Sequence, residues 1–227
     1  MSRVLSEFSV AIGERMPLAG QRILDVGCGN GDLVRELAGA GALLTGLECS
    51  EAQLKRCIAA TSVAGESHVY GLAQSLPFED EQFDAVVLRG SLHHVPTSLM
   101  STALAEARRV TRSAGELFVF EPLAFGSLFE LTRRVDDETT VRARAQQAIV
   151  EAIDHGWLTR RHQREFVAEV VYPDFMAARE QFLAIDVTRK ALLDSADTEL
   201  RRIFLSAGTP TEQGWLFEQP VRLDVLG

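Results

Sequence analysis

Three glycines stand at alternate positions, Gly27, Gly29 and Gly31, directly behind the apolar run of ILDVGCGNGDL, residues 23–33. Glycines spaced this way behind a strand let the backbone turn tightly and lie against a ligand with no Cβ between them. A P-loop would require Gly-Lys-Ser/Thr next, and none follows. A dinucleotide fingerprint would require G-x-G-x-x-G, its third glycine permitting close packing of helix on strand. The pattern here is G-x-G-x-G, and Asp32 occupies the place of that third glycine. A ligand-free tight turn is the bland alternative. Two carboxylates accompany the turn: Asp25 precedes Gly27 by two residues, and Glu48 lies 17 residues beyond Gly31. A carboxylate at the end of a second strand has two oxygens and acceptor-only capacity, which suits a pair of hydroxyl donors. Dehydrogenases place an acid there for the same reason, so Glu48 alone does not discriminate.

Further along, His93 and His94 form a pair after the expected strand Phe83 to Leu88. An imidazole titrates near neutrality and suits a general base or a substrate-orienting group. The structural alternative has one ring stabilising the turn and the other packing beneath a ligand. Arg89 and Glu121 end neighbouring expected strands; they either meet a polar substrate group or form an ion pair with each other. The five histidines, His68, His93, His94, His155 and His162, show no H-E-x-x-H or comparable ligand spacing, so no metal is expected. Cys28, Cys49 and Cys57 are odd in number and lack C-x-x-C spacing, which speaks against a disulfide framework or a structural zinc site.

The elements that must position these residues follow from periodicity. Val4, Leu5, Phe8 and Ile12 predict a leading amphipathic helix over residues 3–16. Strands are expected at Arg22 to Val26, Ala42 to Glu48, His68 to Leu72, Phe83 to Leu88 and Glu116 to Phe120. Helices are expected at Asp32 to Ala40, from the Ser50 cap to Ala60, and from a Ser98 or Ser101 cap to Val110. Ser113-Ala114-Gly115 reads as the turn before the fifth strand. Strands alternating with helices imply βαβ units and a parallel sheet covered on both faces, and the apolar run AVVL agrees. Residues 123–164 read as entirely helical. A strand follows at Glu165 to Tyr172, then helices near 174–186 and 188–206, then a long strand within Glu212 to Val225 whose Pro220 suggests an edge or bulge.

The turn with its two carboxylates resembles motif I of the class I S-adenosylmethionine-dependent methyltransferases, acid-x-G-x-G-x-G. GLAQSLPFEDEQFDAVVLRGSLHHV, residues 71–95, and EARRVTRSAGELFVFEP, residues 106–122, are similar to two further stretches of that family, of the small-molecule, methyltransferase domain 11-like type. The resemblance covers about residues 20–122. It implies a Rossmann-like, doubly wound α/β fold with seven strands, mostly parallel, the last antiparallel; the helical insertion after the fifth strand, above the carboxyl ends of the strands, reads as a lid. One domain over 1–227 is implied: a cofactor half (1–122), the lid (123–164) and a C-terminal part completing the sheet (165–227).

The resemblance also implies S-adenosylmethionine as cofactor, held by Asp25, Gly27, Cys28, Gly29, Gly31, Glu48, Cys49, Leu72, Ala73, Gln74 and Arg89. Methyl transfer to a small-molecule acceptor would engage His93, His94 and Arg89. His94, Glu121, Phe125, Phe129 and Trp157 would line the acceptor pocket, although aromatics at helical spacing are more often core. The basic run Arg160-Arg161-His162-Gln163-Arg164 reads as a solvated face or as a holder of a carboxylate or phosphate. The sequence departs from the family at Leu72, where an Asp usually accepts from the adenine amino group.

Composition bounds the partners. The 227 residues are 46% hydrophobic and 24% charged, the profile of a chain that buries a core. A net charge of −9 disfavours nucleic acid, whose phosphates require a surplus of Lys and Arg. Glu7 and Glu14 interrupt the N-terminal apolar stretch, and the longest uncharged run, Leu37 to Leu47, is far too short to span a bilayer, so neither a signal peptide nor membrane insertion is expected. A reducing, cytoplasmic setting is expected from the cysteines. Two other classes stay open: an NAD-dependent oxidoreductase and a non-catalytic S-adenosylmethionine-binding protein.

Overall fold

The computed structural model describes residues 6–60, 62–185 and 187–227. Helix α1 (Glu7–Gly13) opens the described chain, capped by Ser6, whose side chain accepts from the Ser9 amide. Val4 and Leu5 of the expected leading helix lie outside the described residues. There follow β1 (Arg22–Val26), α2 (Asp32–Gly39), β2 (Leu43–Glu48), α3 (Glu51–Ala59), β3 (Glu66–Tyr70) and β4 (Phe83–Arg89). Ser50 caps α3 by accepting from the Gln53 amide, as its position suggested. Strands β1, β2, β3 and β4 pair in parallel, with β1 between β2 and β4. The apolar runs of β1 and β4 are buried on both faces, Ala85 to Leu88 being fully inaccessible, whereas β3 at the edge is only partly covered.

Helix α4 (Met100–Val110) is entered through a short 3-10 turn, Thr97–Leu99. Neither Ser98 nor Ser101 caps it: Leu99 holds the cap position without a side-chain bond, and the 3-10 turn leads the backbone into the helix in place of a hydroxyl. Strand β5 (Thr111–Pro122) pairs with β4 in parallel, and the register steps from Phe83↔Thr111 to Ala85↔Glu116. The expected turn at 113–115 is therefore an excursion inside a continuous strand. Gly115 passes so close to β4 that a Cβ there would lie 2.6 Å from the Asp84 carbonyl oxygen.

The remaining elements are α5 (Ser127–Thr132), α6 (Thr139–Asp154), β6 (Arg160–Tyr172), α7 (Phe175–Ile185), α8 (Lys190–Ser195), α9 (Asp197–Ala207), β7 (Thr209–Thr211) and β8 (Gly214–Leu226). Two sequence expectations change here. Residues 160–164 are strand, not helix: Thr159 and Gly227 exchange both backbone hydrogen bonds, and Arg160 Nε donates to Asp224 Oδ1 at 2.7 Å. Arg and Gln are good helix formers, but tertiary pairing overrides that weak preference. The helix expected over 188–206 breaks at Ala196.

The sheet has eight strands, in the order β3-β2-β1-β4-β5-β8-β6, with the three-residue β7 paired antiparallel to β8 as the addition to the expected seven. Strand β8 is interior in that order. Pro220 is thus neither at an edge nor idle, since its carbonyl accepts from the Leu123 amide.

The chain divides into two compact units. One takes the described residues of Met1–Glu121 with Arg144–Arg164 and Arg222–Gly227; the other takes Pro122–Ala143 and Glu165–Val221. The core of the first packs Leu24, Val26, Val86, Leu88, Leu104 and Leu117 against Ala145, Ile149 and Leu226. The second has its own aromatic core of Tyr172, Phe175, Phe182, Phe204 and Phe217. Among the described residues no helix is long and apolar enough to cross a membrane.

Candidate active site

The sheet order reverses at β1, whose neighbours β2 and β4 lead the chain to opposite sides. In an open α/β sheet a ligand crevice forms outside the carboxyl ends of the strands at that reversal. Asp25 stands near the carboxyl end of β1, Glu48 ends β2, Arg89 ends β4 and Glu121 lies near the end of β5. The fold thus gathers four residues that are far apart in the chain.

The glycine turn has left-handed backbone at all three positions, with φ of 77° at Gly27, 57° at Gly29 and 77° at Gly31. A Cβ at Gly27 would strike the Ser91 side chain at 2.6 Å, and Ser91 Oγ in turn donates to the Val26 carbonyl at 2.6 Å. Gly29 faces open space. The turn's amides are largely spent internally. Gly27 and Cys28 donate to the Leu47 carbonyl at 2.7 and 3.0 Å, Gly31 to the Cys28 carbonyl at 2.9 Å, and Gly29 to Glu48 Oε2 at 2.8 Å. A phosphate cradle requires converging free amides. This turn does not offer them, and Asp32 adds negative charge at the start of α2.

The carboxylates are better suited to a cation. Asp25 is 1% exposed, and neither of its side-chain oxygens has a hydrogen-bond partner. Burial pushes its acid up to about 6, with Arg89 opposing the rise and Glu48 adding to it. Glu48 is buried, and its other oxygen accepts from the Ser50 amide at 2.8 Å. Each oxygen keeps a lone pair for a hydroxyl beyond its backbone partner.

The histidines separate into distinct roles. Both lie in a 3-10 turn, Leu92–His94, directly after β4. His93 is buried, and its Nδ1 lies 2.6 Å from Glu121 Oε2; Glu121 Oε1 accepts from the Leu92 amide at 3.0 Å. Glu121 is committed to this turn, so the Arg89–Glu121 ion pair held open by the sequence does not form. The Arg89 guanidinium lies instead 5.3 Å from the Phe8 ring centroid. His94 is exposed, its ring centroid 4.1 Å from that of His93.

Of the other residues singled out, Leu72 is 44% exposed at a tight turn in which the Ser75 amide donates to its carbonyl; Ala73 and Gln74 are half-buried beside it. The loop is held from α4. Arg109 donates to Glu106, Asp80 and the carbonyls of Leu76 and Phe78, while Glu106 accepts from the Leu76 amide. Cys49 is exposed; Cys28 is buried on the inner side of the turn. In the other unit Phe129 is 2% exposed beneath the Arg142 guanidinium, a core position, whereas Phe125 is exposed. Trp157, in the first unit, is 38% exposed. Arg160 to Gln163 are solvated strand residues.

Sequence reading passed over Ser91, Arg35 and Arg109. Arg35 clamps the glycine turn through Asn30 O at 2.6 Å and Asp32 Oδ1 at 2.9 Å. Ser91 carries no local signal, because its partner is a distant backbone carbonyl. Arg35 and Arg109 each have an acid three residues before them, Asp32 and Glu106, a spacing that could have marked them.

A family model described as a methyltransferase domain matches residues 24–119, the segment carrying Asp25, the glycine turn, Glu48 and the histidine pair. That match lies within one stretch of the chain and carries the likeness to the methyltransferase domain. The chain is 34% identical over 110 residues to a ubiquinone biosynthesis O-methyltransferase of Thiobacillus denitrificans, covering 47% of each chain. It is 36% identical over 129 residues to the 27-O-demethylrifamycin SV methyltransferase of Amycolatopsis mediterranei, covering 51% of this chain and 46% of that one. The chain spans about half the length of the curated relatives it matches. Two solved structures share the fold: a Bacillus halodurans protein classed as a methyltransferase (TM-score 0.62, 19% identity, 96% and 97% coverage) and Bacillus subtilis YcgJ (TM-score 0.62, 19% identity, 97% of each).

The residues of this crevice fit S-adenosylmethionine. The unpartnered Asp25 carboxylate suits an ammonium or sulfonium charge, the open face at Gly29 admits a flat ligand, and Glu48 suits ribose hydroxyls.

Proposed function

We propose that the protein transfers a methyl group from S-adenosylmethionine to a hydroxyl of a small-molecule acceptor by in-line displacement. The observation that carries this reading is Asp25: a buried carboxylate without partners, at the floor of a turn whose amides are mostly spent. That combination favours a cationic ligand over a pyrophosphate. When bound, the cofactor supplies an electrophilic methyl carbon next to a positive sulfur.

The chain's own part is binding, orientation and one proton. Asp25, Gly27, Gly29, Gly31, Glu48, Ala73 and Gln74 hold the cofactor, with Arg89 tuning Asp25. Exposed His94 takes the acceptor proton, and His93, fixed by Glu121, supports it. The names of the relatives, both O-methyltransferases, support a hydroxyl acceptor. Burial of Cys28 and Cys57 as free thiols supports a reducing, cytoplasmic setting.

Thermal-shift measurements with S-adenosylmethionine, S-adenosylhomocysteine and NAD test the cofactor, because a ligand that binds only the native state raises its apparent stability. Stabilisation by the first two supports the reading; stabilisation by NAD alone overturns it. Passage of a labelled methyl to a phenol or alcohol panel then separates an enzyme from a binding protein.

A further inference from the structure

Beneath the glycine turn lies a second group of reactive side chains, which the methyl-transfer reading does not use. Cys28 sits between Gly27 and Gly29, Cys57 on α3 and His68 on β3, and their sulfur and ring-nitrogen atoms all lie within 4.8 Å of one another. Both thiols are buried, Cys28 at 2% and Cys57 at 1% exposure, and the His68 side chain is 8% exposed. Cys57 Sγ is 3.4 Å from His68 Nδ1. We propose that Cys28, Cys57 and His68 form a binding site for a thiophilic divalent cation, with zinc as the representative ion.

The space for this cluster is made by the sheet itself. Gly46, in the middle of β2, has ordinary strand backbone, yet a Cβ there would stand 2.8 Å from Cys28 Sγ, 3.0 Å from His68 Nδ1 and 3.0 Å from Val34 Cγ2. A glycine inside a strand weakens it, and here close approach by the cluster accounts for it. At Gly31 a Cβ would likewise collide with Cys57 Sγ.

Two thiolates and an imidazole are the ligand types zinc selects. Bond lengths of about 2.3 Å to sulfur and about 2.0 Å to nitrogen place tetrahedral ligand atoms roughly 3.5–3.8 Å apart. The Cys57–His68 pair, at 3.4 Å, is close to that separation, and Cys28 Sγ lies within 4.8 Å of both. Glu66 supplies the carboxylate that metal-bound histidines commonly have behind them: its Oε1 lies 3.7 Å from His68 Nε2, the nitrogen away from the closer sulfur contact. Its other oxygen is buried with no hydrogen-bond partner. Arg35 Nη1, 3.9 Å from Cys57 Sγ, meets no repulsion, because two thiolates cancel the charge of the ion. Binding forms two metal–sulfur bonds and releases two thiol protons to solvent. Local spacing concealed the site: Cys57 and His68 are 11 residues apart, and Cys28 comes from another element.

The test is titration of the reduced full chain with cobalt(II), a spectroscopic substitute for zinc. One equivalent should produce a sulfur-to-metal charge-transfer band and tetrahedral ligand-field bands. Cys28→Ser and Cys57→Ser should abolish the charge-transfer band or halve it, whereas Cys49→Ser should retain it. Zinc at a hundredfold excess over its Kd should raise Tm by roughly 5–10 °C. X-ray absorption on the zinc form of the unaltered chain avoids any folding defect of the variants, and should show two sulfur neighbours with nitrogen. Uptake with only oxygen and nitrogen neighbours, or no uptake by the reduced protein, overturns the proposal.

Discussion

Glu121 receives His93 Nδ1 on one carboxylate oxygen, at 2.6 Å, and the Leu92 amide on the other, at 3.0 Å, with both side chains out of solvent. One acid near the end of β5 thereby sets both the backbone and the ring orientation of the turn that follows β4. His94 is carried on that turn. If His94 takes the acceptor proton, then His94→Ala should lower turnover about 100-fold, and Glu121→Gln about 10-fold. Cofactor Kd should move less than about twofold in both. A loss of turnover matched by an equal loss of cofactor affinity would assign the turn to binding.

Asp25 sets function against stability. Its folded-state acid is raised to about 6, chiefly by burial, above the unfolded value near 3.9. The fold therefore favours the protonated form. This contribution is full below the unfolded value and is lost as pH rises through about 6. At neutral pH the ionised group costs up to about 3 kcal/mol. Asp25→Asn should raise the melting temperature at pH 7 while weakening S-adenosylmethionine binding ~10- to 100-fold. In the unaltered protein, cofactor affinity should fall as pH drops below about 6. Calorimetric titration across pH 5–8 checks the second statement; a flat profile would contradict it.

Two glycines of the same turn should respond differently to alanine. At Gly29 a Cβ enters open space, so Gly29→Ala costs about 1–2 kcal/mol of backbone strain and its main effect is to obstruct the cofactor. At Gly31 a Cβ collides with Cys57 Sγ and comes within 2.9 Å of Arg35 Nη1. Gly31→Ala should lose a further ~1–3 kcal/mol from overpacking. Paired denaturation and binding curves separate the two; equal stability losses would contradict the contrast.

Leu72 is exposed on the loop that Arg109 anchors. Leu72→Asp would supply the charged acceptor that the family resemblance places there. S-adenosylmethionine affinity should rise about 3- to 10-fold, with stability changed by less than about 0.5 kcal/mol. Unchanged affinity would mean that adenine is held by other groups.

The parallel half of the fold could be read from the chain because its signals are local. Uninterrupted apolar runs mark strands buried on both faces, Ser50 marks a helix start, and alternate glycines mark a turn that must adopt left-handed backbone. The same local chemistry brought out Asp25, Glu48 and the histidine pair, since type and spacing relative to a strand end are sequence properties. Residues 160–164 failed this reading because strand pairing with the C-terminal segment outweighs the helix preference of Arg and Gln. Glu121 was visible as a strand-end acid, but its partner was not.

By itself, then, the sequence determined a glycine turn flanked by acids within an alternating β/α order, and through it the class of cofactor. Only the tertiary structure decided where each charge goes. Asp25 is left without partners, Glu121 is given to His93, and Cys28 meets Cys57 and His68 across the space above Gly46. Backbone conformation is set within a few residues, whereas the partner of a side chain depends on elements that are brought together only when the sheet assembles.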